Sequence, residues 1–215
     1  NGGDALAVAR MLAERHYSVE AFLFKTSGHL SPDCEENRDR LRAQHNIKAF
    51  TEVVQEFDPP VLTKDVLVVD GLFGSGINKP LSGGYAALVK YVNSSNAQVV
   101  SIDLPSGMMT EDNTYNVKAN IIRADVTLTL GCKKLCMMMP DLQPLFGHIR
   151  VLDIDLSQEY IDKTETQYSI IEENDIRRMF IPRDEFVHKG NMGHALVIAG
   201  KLRSEERRVG KECRS

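Results

Sequence analysis

Short, nearly continuous apolar runs alternate with helical patterns along the first 155 residues, and this alternation limits the fold more than any other feature. The runs are 19–24, 65–72 (DVLVVDGL), 98–104 (QVVSIDL), 124–130 and 148–154, with 47–54 as a further strand candidate. Leu6, Ala9, Leu12 and Ala13 form a helical stripe within 5–16. Ser31 followed by Pro32 is a helix-start signal, with the helix running to about Gln44, and 83–92 reads as another helix. Strands apolar on both faces, spaced by amphipathic helices, predict an α/β fold. The expected form is doubly wound, a mostly parallel sheet with helices on both faces in a Rossmann-like three-layer sandwich.

Composition narrows the class. The 215 residues carry 26 Lys+Arg against 30 Asp+Glu, a net charge of -4. No global basic field recruits nucleic acid or an anionic membrane. No stretch reaches the roughly 18 apolar residues of a membrane span. Four cysteines in a chain of this length do not form a disulfide scaffold, so a reducing, cytoplasmic setting is expected.

The chain opens on Asn1-Gly2-Gly3-Asp4, a Gly-rich loop leading directly into a helix. Such loops follow a strand, so the sequence reads as starting inside a functional loop. After Leu156 the pattern turns polar, and a boundary is expected near 157–167. Residues 203–215 (RSEERRVGKECRS) have no apolar periodicity and resemble the translation of a sequencing adapter. Leaving out their five basic and three acidic residues gives a net charge of -6.

In open α/β sheets ligands bind at the carboxyl ends of the strands. Three features fall there. Asn1, Gly2, Gly3 and Asp4 stand at a helix N-terminus, where free N–H groups and the helix dipole favour phosphate; a plain capped turn is the alternative. Asp70 ends a strand and opens a loop in which Gly74, Ser75, Gly76, Ile77, Asn78, Lys79 and Pro80 can wrap a diphosphate, with Lys79 as a point charge. Pro80 after Lys79 breaks the P-loop order, and a surface turn is the bland reading. Asp103 ends the next strand, before Pro105, Ser106 and Gly107. A carboxylate there is costly unless it serves a partner or substrate, although capping is a common use of Asp and Ser.

Other features argue for no site. Cys132 and Cys136 lack a second pair for zinc and read as buried thiols. Met137, Met138 and Met139 read as core filling. His16, His29 and His45 read as surface residues. His188 and His194 flank a Gly-rich loop that suits phosphate better than metal.

Taken together, NGGDALAVARML, VVDGLFGSGINKPLSGG, VVSIDLPSGM and ADVTLTLGCKK resemble the NAD(P)H-hydrate epimerase family, also called the YjeF N-terminal domain. The stretch from Val187 to Gly200 resembles the opening of the NAD(P)H-hydrate dehydratase domain that follows it in bifunctional bacterial enzymes. The resemblance implies an epimerase domain over 1–156 lacking its N-terminal segment, a linker over 157–166, and an incomplete, inactive dehydratase start over 167–202. It implies a potassium ion held by Asn1, Asp70 and Ser106. It implies a substrate site lined by Asn1 to Asp4, Gly74 to Pro80 and Asp103, and it suggests a homodimer.

The substrate implied is NADH or NADPH hydrated at C6 (NADHX, NADPHX). The ring nitrogen expels the hydroxyl once an acid protonates it, and water returns to either face. Asp103 is the expected acid and base, with Lys79 orienting phosphate or stabilising charge. Two rivals remain. A Rossmann oxidoreductase wants an acid at the end of its second strand, where this chain has Phe24 and Lys25. A non-catalytic nucleotide- or partner-binding module on the same fold is the other.

Overall fold

The computed structural model describes residues 2–25, 29–171, 173–180 and 186. Asn1, the 187–200 motif and the 203–215 tail lie outside them. The chain divides into two units, 1–163 and 164–215. The first holds α1 (Gly2–Glu14), β1 (Glu20–Phe24), α2 (Pro32–Arg42), β2 (Ala49–Val53), β3 (Leu67–Asp70), α3 (Gly83–Ser94), β4 (Gln98–Ile102), β5 (Val126–Leu130), β6 (His148–Leu152) and α4 (Gln158–Lys163). Among the described residues of the second, Glu173–Met179 forms α5, where Arg177 pairs with Glu173 one turn back at 2.6 Å.

All strand pairs are parallel, and the fold is α/β, as the alternating pattern predicts. The strands are distributed over two sheets, β1-β2 and β3-β4-β5-β6. Within the larger sheet Asp70 lies opposite Ser101, Ile102 opposite Leu128 and Leu130 opposite Leu152. This register brings the carboxyl ends of β3, β4 and β5 to one edge.

α1, α2 and α3 each bury an apolar stripe, whereas α4 and α5 bury no residue. Leu6, Ala9 and Ala13 of α1 are buried, and Leu6 and Ala9 pack with Ala21 and Leu23 of β1 and Cys34 and Leu41 of α2. Full burial of one such leucine contributes about 1.5–3 kcal/mol. α2 begins as expected: Ser31 caps it by accepting from Cys34 N–H at 3.3 Å, with Pro32 in the first turn. Val89 and Val92 of α3 pack on Val99 and Ile122. A third cluster joins Leu104, Met108, Ile121, Cys136, Met137, Leu142, Leu145 and Phe146 beside the strand ends.

Some expectations do not hold. β3 and β6 are rims of their sheet, so they are not covered like β4 and β5: Leu67 is 54% and Val151 44% exposed. Cys132 is exposed whereas Cys136 is buried, because only the second enters the cluster around Phe146. Of the three methionines Met137 is buried, Met139 packs against the same cluster and Met138 faces outward. His16, His29 and His45 are exposed as expected.

Gly147 makes the turn into β6 at φ +56°, and a Cβ there would meet Asp125 O at 2.1 Å. His148 N–H donates to that same carbonyl at 2.8 Å, so the backbone has no room to retreat. Gly147→Ala is expected to lose about 3 kcal/mol of stability in urea unfolding, from strain and overpacking together. A midpoint equal to wild type would contradict this account of the turn.

Candidate active site

The carboxyl edge of the larger sheet gathers two aspartates in contrasting surroundings. Asp70, at the end of β3, is buried. Its Oδ2 accepts from the Ser101 hydroxyl and from Ser106 N–H, each at 2.8 Å. Its Oδ1 accepts from the Ser106 hydroxyl at 2.5 Å and Leu72 N–H at 3.3 Å. Parallel register supplies Ser101, and the Leu104-Pro105-Ser106 turn folds Ser106 back onto β3. Phe73 N–H donates to Ser106 Oγ at 2.9 Å, tying the start of the Gly-rich loop to that turn. The structure thus brings together Asp70 and Ser106, two residues expected to share a site. Ser101 was not foreseen; an alternation of Ser among apolar residues in QVVSIDL was its only signal.

Every donor on Asp70 is neutral, and no basic side chain among the described residues pairs with it. Burial pushes its carboxyl above the ordinary value, while the hydrogen bonds from Ser106, Ser101 and Leu72 pull the other way.

Asp103 follows β4 directly. Its N–H extends the ladder to Leu128 O at 2.8 Å, and its φ is +67°. Leu104 N–H then donates to Ile102 O at 2.9 Å, closing a three-residue turn around it. A γ-turn with positive central φ is rare and strained. The same turn recurs at the end of β5, where Cys132 N–H reaches Leu130 O at 2.8 Å around Gly131 at φ +72°. Glycine fills that position at little cost, whereas Asp103 holds it under strain. Such an outlier at a strand end points to function.

The Asp103 side chain is buried and paired. Lys134 Nζ donates to its Oδ1 at 2.5 Å; Leu130 N–H and the Thr129 hydroxyl approach the same oxygen at 3.2 and 3.4 Å. Lys134 also donates to Thr129 Oγ1 at 2.9 Å and Leu130 O at 2.8 Å, so all three of its protons are engaged. Sequence reasoning missed Lys134. It lies within ADVTLTLGCKK, but nothing in the spacing separates it from Lys133, which is exposed. Nearby, burial pushes the Cys136 thiol up to about 11, which keeps it protonated and unreactive at neutral pH.

Of the remaining candidates, the 74–80 loop follows β3, whereas Gly2, Gly3 and Asp4 begin α1, and no hydrogen bond or ion pair among the described residues joins them to Asp70 or Asp103. Gly2 and Gly3 open α1 with Asp4, and Asn1 is outside the described residues. A Cβ on Gly2 would meet Cys34 Sγ at 3.3 Å, so the close approach of α1 to α2 already asks for a small residue there. In the 74–80 loop Ser75, Gly76, Asn78 and Lys79 are exposed, while Gly74, Ile77 and Pro80 are half-buried. No hydrogen bond or ion pair among the described residues joins Lys79 to Asp103. Asn120 Nδ2 holds the far end of the loop through Leu81 O at 2.8 Å. Tyr85 stacks edge-on against Phe73, ring centres 4.8 Å apart, and lies 6.1 Å from Phe24 at the end of β1.

Comparison with known proteins gives this edge its context. The pattern of the family described as YjeF-related protein N-terminus matches residues 1–136. NAD(P)H-hydrate epimerase of Limosilactobacillus fermentum is 33% identical over 153 residues, covering 71% of this chain and 69% of the relative. The bifunctional NAD(P)H-hydrate repair enzyme Nnr of Thermofilum pendens is 34% identical over 209 residues, covering 94% of this chain. The Nnr of Coxiella burnetii is 26% identical over 200 residues. The chain belongs to the YjeF-related N-terminal family. It spans 38% of the length of the Thermofilum enzyme.

Because Asp70 holds its proton more tightly folded than unfolded, its contribution to stability is complete below the unfolded carboxylate value of about 3.9 and is lost as pH rises through the higher folded value. Asp70→Asn removes that dependence. In potassium-free buffer, urea unfolding from about pH 4 upward is expected to show wild type losing stability relative to the variant. Parallel pH curves for the two proteins would contradict a carboxyl raised by burial.

Proposed function

We propose that this chain is an epimerase that interconverts the R and S forms of NADH and NADPH hydrated at C6. The observation that carries the reading is Asp103: a strained, strand-end carboxylate with one oxygen held by Lys134 and Leu130 N–H, and Oδ2 without a partner among the described residues. The names of the relatives support it, since several are NAD(P)H-hydrate epimerases or bifunctional repair enzymes.

The chemistry follows from the substrate. C6 carries a hydroxyl and the ring nitrogen N1. Asp103 gives a proton to the hydroxyl, the C6–O bond breaks with its electron pair leaving on water, and the N1 lone pair forms the C6–N1 double bond. The planar cation turns in the site, water adds to either face of C6, and the proton that it loses returns to Asp103. No electrons are exchanged with another cofactor. Gly2, Gly3 and Asp4 with Asn1, and the loop from Gly74 to Pro80, would bind the nucleotide. Lys79 would reach phosphate from its exposed position; it has no side-chain partner to break first among the described residues.

A potassium ion fits the residues at Asp70. The carboxylate is buried with no cationic partner, and the surrounding donor set is hard oxygen, from Asp70 and the Ser106 hydroxyl, with Asn1 completing the proposed ligands. Among the described residues no group of three or more His, Cys, Asp or Glu offers a site for a transition metal. The ion would supply fixed positive charge beside the Gly-rich loop.

The same reading takes 1–156 as the epimerase domain and 157–166 as a linker, with 167–202 as the start of a dehydratase domain. Alignments to bifunctional relatives over 93–94% of the chain support it. It also takes the protein to be a cytoplasmic homodimer.

Mixed R and S hydrates supplied with a separate S-specific dehydratase test the reading through regenerated NADH absorbance. The expected result is rapid consumption of both forms, with Asp103→Asn slower by about 100-fold or more. Consumption of the S form alone by folded protein would favour a binding module instead. Potassium, but not choline, is expected to raise the thermal midpoint of wild type and leave Asp70→Asn unchanged; equal shifts in both would remove Asp70 from the cation site.

A further inference from the structure

The pairing of Asp103 is one-sided, and that asymmetry has a chemical meaning. Lys134 Nζ at 2.5 Å and Leu130 N–H at 3.2 Å both donate to Oδ1, and the Thr129 hydroxyl lies 3.4 Å from it and 3.3 Å from Cys132 O. None addresses Oδ2. A carboxyl proton cannot sit on an oxygen already crowded by an ammonium and an amide donor. We propose that Lys134 is a positioning residue for the epimerisation: it pins Oδ1 so that Oδ2 alone carries the proton that leaves and returns. The proposal rests on the epimerase reading given above.

Lys134 is suited to this and to little else. Its side chain is 15% exposed and that of Asp103 8%. Its three protons go to Asp103 Oδ1, Thr129 Oγ1 and Leu130 O, so none remains for a substrate. Those acceptors come from the end of β5 and the turn after β4, so the ammonium also fixes the distance between the two strand ends. When Asp103 releases its proton, the O–H bond on Oδ2 breaks, a new O–H bond forms on the departing hydroxyl, and the charge left on the carboxylate is met by Lys134 through the other oxygen. Uptake from the incoming water reverses the same bonds. The ammonium keeps its protons throughout.

A double-mutant cycle on the whole chain tests this. Lys134→Met is expected to lower kcat by about 100-fold with KM within about threefold, since substrate contacts are untouched. In the Asp103→Asn background the same change is expected to cost nothing further, because Lys134 acts only through that carboxylate. Lys134→Met and wild type should both melt cooperatively; should Lys134→Met not fold, Thr129→Val removes one of the acceptors that hold the Lys134 ammonium in place and is expected to slow kcat by about threefold. Amide exchange at Leu130 gives a readout free of turnover, and its N–H should exchange faster in Lys134→Met. A folded Lys134→Met protein with kcat within threefold of wild type, a multiplicative loss in the double variant, or unchanged Leu130 exchange would each overturn the proposal. Wild type that does not epimerise, with Leu130 exchange altered, would instead leave the clamp standing and sink the epimerase reading.

Discussion

A carboxylate taken out of water at the end of a strand must be satisfied by what the fold places around it, and Asp70 sets that demand here. Desolvation of a lone carboxylate costs several kcal/mol unless hydrogen bonds replace the lost water. The fold answers with neutral donors from separate pieces of chain. Ser101 arrives through strand register, Ser106 through the turn after β4, and Leu72 through the first step of the Gly-rich loop. Removing that anchor would release the loop and the turn together. The candidate site therefore depends on β3 and β4 lying in one register and no other; a one-residue slip would turn Ser101 to the other face.

Much of this architecture was legible in the sequence. The apolar runs at 65–72 and 98–104 contain β3 and β4, and the strand-end positions of Asp70 and Asp103 followed from them. Ser31 and Pro32 marked the start of α2 because capping is a local property, decided within four residues. What stayed hidden was non-local. Nothing in the spacing of Lys133 and Lys134 says which one turns inward; that is decided by the turn at Gly131, which carries one ammonium under the end of β4. The split of the strands into two sheets was equally hidden, because periodicity reports burial and not which strands are neighbours. The exposed rims β3 and β6 show the same limit: an apolar run signals a strand, and its place in the sheet decides how far it is covered.

The two aspartates show how one sequence pattern yields two different chemical surroundings. Both end apolar strands, and both are buried. Asp70 receives neutral donors on each oxygen and no cationic side chain among the described residues, so its hydrogen bonds tie the loop and the turn to β3. Asp103 receives all its donors on Oδ1 and sits in a strained turn where the neighbouring strand uses glycine. The strain has a purpose only if the side chain must point where a relaxed backbone would not send it. A lysine at 2.5 Å then fixes the direction that the strained turn has set. Burial alone would have made both residues look alike; the distribution of donors between the two oxygens is what separates them, and the proposed roles rest on that difference.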